Sequence, residues 1–238
     1  MCGITGAENQ ELVEKLNDSL NHRGSSCHIS KTENFALGHY LHSVVGKLHQ
    51  PIKEKGLLTA NCEIYNWKEI NEEQNWNTEN DAETLLKILE EKGIHGLEEI
   101  DGIYAFAYIK DNELILARDI LGVNPIWFTE KSGEFAFASE KQALEKQGLK
   151  CRELHPRQIL RYDLETGERN FEQREFFEID DAKNSRSSSE NRKAREEFSE
   201  DESKDIEEAS EEIKEKFLEA VEKRVPDTEV ALLLSGGL

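Results

Sequence analysis

The chain has 238 residues, 50 acidic against 30 basic side chains for a net charge of -20, and 37% hydrophobic residues. That length fits one large domain, or one domain and part of another, with enough apolar residues for a core. The excess of negative charge excludes nucleic acid and anionic membrane as main partners, because both would repel it.

No apolar run is long enough to span a bilayer and no basic-then-apolar leader opens the chain, so a cytoplasmic location is expected. Cys2, Cys27, Cys62 and Cys151 show no C-x-x-C spacing and read as reduced thiols. Five of the seven histidines fall between His22 and His49. His39 and His42 sit three apart in a stretch that reads as strand, on opposite faces, so no metal site is expected.

Cys2–Ala7 reads as a short apolar strand. If Met1 is removed, Cys2 carries a thiol and a free α-amine on one residue, a nucleophile and its base together. Glu11–Leu20 places Leu12, Val13, Leu16 and Leu20 at helical spacing, and Asn21-His22-Arg23-Gly24 reads as its stop and a turn. Phe35–His39 and Leu41–Val45 read as two strands. Leu57–Cys62 is another, running into Glu63-Ile64-Tyr65-Asn66. Asp81 is placed to cap a helix whose apolar side holds Leu85, Leu86, Ile88 and Leu89.

From Ile103 the pattern is β. Tyr104–Ile109, the turn Lys110-Asp111-Asn112 and Glu113–Ala117 form a hairpin signal. Arg118–Gly122 is a turn, Pro125–Phe128 and Phe135–Ala138 are short strands, and Ser139-Glu140-Lys141 opens a short helix. Gln158–Tyr162 is a late strand before the turn Asp163–Gly167. Two layers of mostly antiparallel strand with helices outside pack this order economically. Residues 180–203 are rich in charge and Ser, a solvated linker. From Asp205 an apolar stripe of Ile206, Ala209, Ile213, Phe217, Ala220 and Val221 predicts a helix that packs on its own domain, with Asp205 and Glu208 in capping-box form. Val230–Leu234 reads as a strand buried on both faces and runs into Ser235-Gly236-Gly237.

Three stretches gain chemical meaning beside Cys2. Asn61-Cys62 at a strand end offers a side-chain amide and a backbone N–H, the donors of an oxyanion hole. Asp81 at a helix start is a cap or a partner for a substrate ammonium group. The Ser235-Gly236-Gly237 backbone can approach a phosphate, or is a common turn.

Together these motifs carry a resemblance. Met1-Cys2-Gly3-Ile4, His22-Arg23-Gly24, Asn61-x-Glu63-Ile64-Tyr65-Asn66, Asp81, Gly102–Ala107, Arg118-Asp119-x-x-Gly122-x-x-Pro125, Ala138–Lys141 and Leu232–Leu238 follow the order found in glutamine-hydrolysing asparagine synthetase, which the chain resembles except over residues 180–203. The resemblance implies an α+β, N-terminal-nucleophile four-layer αββα sandwich over residues 1–179 as a class II glutamine amidotransferase domain. It implies a linker at 180–203, and over 204–238 the first helix and strand of an α/β ATP-pyrophosphatase domain. It gives Cys2 the attack on the glutamine amide, Asn61 and the Cys62 N–H the oxyanion, and Glu63 and Asp81 the glutamine α-amino end. Leu41, His42, Ser43, Val44 and Val45 align with the glutamine-binding strand, and Leu234, Ser235, Gly236 and Gly237 with the start of the pyrophosphate loop.

Glutamine is then the substrate. No cofactor serves its hydrolysis, whereas ATP, Mg and aspartate serve a synthetase domain, in cis or on a second chain, and the assembly admits a homodimer. Three departures stand out. Leu41 occupies the place of the family's carboxylate-binding Arg. Cys62 replaces a Gly, which raises a pairing of its thiol with Cys2. The loop's usual Asp-Ser does not follow Leu238, so a truncated sequence or a split enzyme is expected. The alternatives are the amidotransferase of another amide-forming synthetase and a glutamine-binding regulatory module without hydrolysis.

Overall fold

The computed structural model describes residues 2–42, 48–130, 134–175 and 200–225, with side chains of the last segment described from 208 onward. The chain divides into two units, Met1–Phe176 and Phe177–Leu238.

The first unit holds two six-stranded antiparallel sheets. One contains β1 (Gly3–Ala7), β2 (Ser26–Lys31), β3 (Ala36–Leu41), β8 (Trp127–Thr129), β9 (Ala136–Ala138) and β10 (Cys151–Glu153), in the order β10-β8-β9-β1-β3-β2. The other contains β4 (Ile52–Lys53), β5 (Leu57–Ile64), β6 (Gly102–Lys110), β7 (Glu113–Arg118), β11 (Gln158–Asp163) and β12 (Arg169–Gln173), in the order β12-β11-β7-β6-β5-β4. Period-2 alternation sorts the strand residues into three apolar layers. Ile4, Leu37, Phe137, Leu57, Ala105, Ala107, Leu116 and Leu160 fill the space between the sheets. The opposite faces of β5 and β6, through Leu58, Ala60, Ile64, Phe106 and Tyr108, pack on Leu85, Leu86 and Leu89 of α3 (Asp81–Glu91). Ala7, Ala36 and Ala138 pack on α1 (Gln10–Asp18) and on Ala143 and Leu144 of α4 (Lys141–Glu145). The expected αββα layering is therefore present, with Gly6 giving way to Phe137: a Cβ there would stand 2.2 Å from the ring.

The β6–β7 hairpin turns through Asp111 and Asn112, with φ of +48° and +63°, the paired positive values of the favoured two-residue turn. Other readings need correction. Ala36–His39 and Leu41 belong to one strand, β3, because Tyr40 and Leu41 continue the ladder with β2, and Phe35 precedes it. β2, β10, β12 and α2 (Trp67–Gln74) lacked a sequence pattern; β2 and β12 are edge strands with mixed burial, and edge strands carry weak alternation. Asp81 is the first helical residue of α3, and Asn80 is its cap, accepting from Glu83 N at 3.0 Å.

In the second unit, α5 spans Glu200–Glu222, so helix begins inside the stretch read as linker and Asp205 lies within it rather than at a cap. Within its apolar stripe Ile213 is 68% exposed and Phe217 66%, so these two side chains are not packed as expected. The stretch Val230–Leu234 lies outside the described residues. No helix among the described residues is long and apolar enough to cross a membrane.

His39, fully buried in β3, donates from Nε2 to Ala60 O at 3.2 Å and leaves Nδ1 without a partner. Burial lowers its pKa from 6.5 to about 4, against the Ala60 bond. The unfolded chain takes up a proton near pH 6.5 and the native one only near 4. This group's contribution to stability is thus complete above pH 6.5 and lost as pH falls toward 4, by about 3 kcal/mol at the lower end. Urea unfolding of His39→Gln is expected to show a flatter stability profile across that window; an unaltered slope would remove His39 from the account.

Candidate active site

β1 is central in its sheet and antiparallel to β3, with Gly3 opposite Tyr40, so Cys2 lies beside the end of β3. His42 N donates to Cys2 Sγ at 3.3 Å. Arg23 Nε donates to the Cys2 carbonyl at 2.9 Å, and its Nη1 pairs with Glu140 at 2.8 Å. Ser139 Oγ accepts from Ile4 N at 2.9 Å. Burial pushes the Cys2 thiol pKa up, opposed by the His42 N–H and the Arg23 charge. Burial also opposes the charge on Glu140, yet hydrogen bonds from Arg23, Gln142 and His22 hold its carboxyl down at about 2. Gly24 is required for the turn beside Leu41: a Cβ there would stand 2.5 Å from Leu41 O.

Alternation places the Cys2 side chain on the same face as Ile4, between the sheets. Leu57, Thr59 and Asn61 alternate onto the facing side of β5. Thr59 Oγ1 reaches Gly38 O across the gap at 3.3 Å, which confirms the direction. Asn61, 5% exposed, thus faces the sheet that carries Cys2.

Beyond Leu58, β5 has β6 on one edge and, among the described residues, no strand on the other. Backbone groups on the open edge take other partners: Ala60 N donates to Gln50 Oε1 at 2.7 Å, Ala60 O accepts from His39, and Ile64 N donates to Asp81 Oδ2 at 3.2 Å. Two-residue periodicity directs the Cys62 N–H to that same edge, between the two. The Cys62 thiol goes the other way. It packs with the α3 layer and hydrogen-bonds Asp81, so the idea that it pairs with Cys2 gives way, and both thiols are free.

Asp81 sits at the α3 N-terminus, a favourable place for a carboxylate. Burial raises its pKa, and the N–H groups of Ile64 and Ala82 and the Cys62 thiol counter that. Glu63 and His42 are exposed and Leu41 half-buried at the same end of the sandwich. The structure thus gathers Cys2, Leu41, His42, Asn61, Cys62, Glu63 and Asp81 from β1, β3, β5 and α3. Ser43, Val44 and Val45, and Leu234, Ser235, Gly236 and Gly237, lie outside the described residues. Among the described residues no three His, Cys, Asp or Glu side chains are grouped to hold a metal ion.

The sequence profile of the glutamine amidotransferase domain matches residues 1–194, most of the chain. The chain belongs to that family. It is similar to a putative glutamine-hydrolysing asparagine synthetase of Methanocaldococcus jannaschii, 40% identical over 121 residues, which cover 47% of this chain and 22% of that protein. It is also similar to asparagine synthetase 2 of Bacillus subtilis, 30% identical over 165 residues, covering 60% and 22%. The chain therefore spans about a fifth of the length of these two relatives. Among solved structures, glutamine phosphoribosylpyrophosphate amidotransferase from B. subtilis matches with a TM-score of 0.64 at 20% identity, over 72% of this chain and 49% of that one, which fixes the amidotransferase fold.

Within this amidotransferase unit, sequence reading gave no role to the residues that hold Cys2. Arg23 meets Glu140 across 117 positions and Ile4 meets Ser139 across 135. Gln50 and Asn124, which both bind the β5 backbone, carried no motif of their own. The signal available for Arg23, Ser139 and Glu140 was their place in the His22-Arg23-Gly24 and Ala138–Lys141 motifs that carry the resemblance.

Proposed function

We propose that the first unit hydrolyses the side-chain amide of glutamine to glutamate and ammonia. The observation that carries this is the placement of Cys2 on the inner face of β1, opposite Asn61 and the open-edge Cys62 N–H of β5, in a chain of the glutamine amidotransferase family. The Cys2 thiolate adds to the amide carbon. The resulting oxyanion is met by Asn61 Nδ2 and the Cys62 N–H. Collapse of this intermediate breaks the C–N bond and releases ammonia, the nitrogen taking the proton that the Cys2 α-amine, free once Met1 is removed, accepted from the thiol. Water then hydrolyses the thioester to glutamate. Asp81 and Glu63 supply negative charge for the substrate ammonium, and burial of Asp81 strengthens that attraction.

In the same reading the ammonia passes to an ATP-dependent synthetase domain, in cis or on a second chain. That domain would hold Mg and ATP, which would supply the activation of aspartate on the way to asparagine. The support is the naming of the relatives and the Leu234–Gly237 motif, with residues 180–203 as the linker and 204–238 as the start of that domain. Cytoplasmic residence and a homodimer complete the proposal. Glutamate release from glutamine by the purified chain tests the first step, and asparagine formation with ATP, Mg, aspartate and an added synthetase domain tests the second. Ammonia-dependent synthesis without any glutamine-dependent synthesis would favour the regulatory module instead.

Leu41 leaves the glutamine carboxylate without the cation the family places there. Leu41→Arg is expected to lower the KM for glutamine about tenfold with kcat little changed, as for an interaction equal in ground and transition states. Steady-state kinetics read this directly, and an unchanged KM would mean that another cation already serves.

A further inference from the structure

Asn124 is 2% exposed, in the loop between β7 and β8. Its backbone is held at both ends: its N–H donates to Asp119 Oδ2 at 3.3 Å and its carbonyl accepts from Arg118 Nε at 2.7 Å. The side chain reaches back 63 positions, where Nδ2 donates to Asn61 O at 3.0 Å. Oδ1 is buried with no partner. An unsatisfied buried acceptor costs about 1–3 kcal/mol. A flipped amide would set oxygen against oxygen, so the N–H is the end this site retains.

Asn61 O and the Cys62 N–H are the two ends of one peptide group. In the ladder the carbonyl points toward β6 and the N–H toward the open edge. β6 holds that peptide from one side only, since β4 pairs with Leu57 and Leu58 alone. We propose that Asn124 is a positioning residue for glutamine hydrolysis, fixing and polarising the Asn61–Cys62 peptide through its hydrogen bond to Asn61 O. A carbonyl that accepts a hydrogen bond makes its own amide N–H a stronger donor. An oxyanion donor acts only when held about 2.7–3.1 Å from the developing charge. Asn124 touches no substrate, and the inference rests on the Cys62 N–H being an oxyanion donor.

Asn124→Leu keeps the branched outline and removes both the donor and the orphaned acceptor. Three readouts follow. The kcat for glutamine is expected to fall about 10–100-fold with KM unchanged. The affinity for glutamate γ-semialdehyde, which adds the Cys2 thiol to give a tetrahedral hemithioacetal, falls by a similar factor, while glutamine binding to a Cys2→Ala background stays the same. In the resting protein the Cys62 amide ¹⁵N resonance moves upfield. An unmoved resonance, an undiminished kcat or a defect confined to KM overturns the proposal. Because the resonance is read without turnover, it decides the positioning claim even where the wild type releases no glutamate, a result that would count against the proposed function instead. Should Asn124→Leu not fold, Asn124→Ser, too short to reach Asn61 O, is carried through the same three readouts.

Discussion

Cys2→Ser is expected to reduce glutamate release by at least about 10³-fold while leaving the thermal transition of the domain within a few degrees of wild type. Serine keeps the size of the residue, so the β1 start, the Arg23 contact to its carbonyl and the His42 N–H all retain their partners. What is lost is the thiolate, since a serine hydroxyl stays protonated at any working pH. The wild type carries its own signature. Burial raises the Cys2 pKa above its ordinary value, so kcat/KM is expected to climb with pH through and above neutrality as the thiolate fraction grows. Activity persisting in Cys2→Ser would place the nucleophile elsewhere. Cys62 is a poor substitute, because its thiol faces α3 and its pKa is pushed far up by burial beside Asp81.

The second large effect is on stability. Arg118, 3% exposed, donates to the carbonyls of Gly122, Asn124 and Leu154 and to Glu153. Its own carbonyl accepts from Arg174 at 2.7 Å. The loop it organises closes through Gly122 at φ +70° and through Asp119, which accepts from Val123 N and Asn124 N. Arg118→Leu leaves three carbonyls without a charged donor in a protein interior, while Glu153, 44% exposed, remains hydrated. A loss of about 3–5 kcal/mol is expected, or about 10 °C or more in Tm for a domain of this size. The same change frees Asn124, so the folded fraction of Arg118→Leu should also show a reduced kcat. Calorimetry beside single-turnover kinetics separates the two, and a Tm shift below about 2 °C would contradict the buried network.

Legibility of the sequence followed the range of each interaction. The β6–β7 hairpin, α1 and α3 were readable because period and turn chemistry lie within a dozen residues of one another. Cys2 and Asp81 were readable as chemistry because each sits at an element end, where backbone groups are left open, whereas Asn61, read as a strand end, lies inside β5, which runs on to Ile64. β2 and β12 were not, since edge strands have mixed burial and weak alternation. The cap of α3 went to Asp81 rather than Asn80 because both residues suit a helix start, and only the fold shows Asp81 turned toward the Ile64 N–H. The Cys62 thiol could be sent away from Cys2 only once the inner face of β5 was known. Arg118 and Asn124 sit in a motif that reads as a turn; the contact of Asn124 with the Asn61–Cys62 peptide depends on a loop and a strand 63 positions apart being brought together.

The central position of β1 has a consequence for timing. Its partner β9 closes the ladder at Thr5 opposite Ala138. At about 5–20 residues per second of synthesis, a nascent chain spends between about 7 and 27 s with β1 exposed along that edge before β9 is made. Arg23, which holds the Cys2 carbonyl, likewise waits for its own partner Glu140, 117 positions further along the chain. Cys2 therefore acquires its full surroundings only when most of the domain has been synthesised.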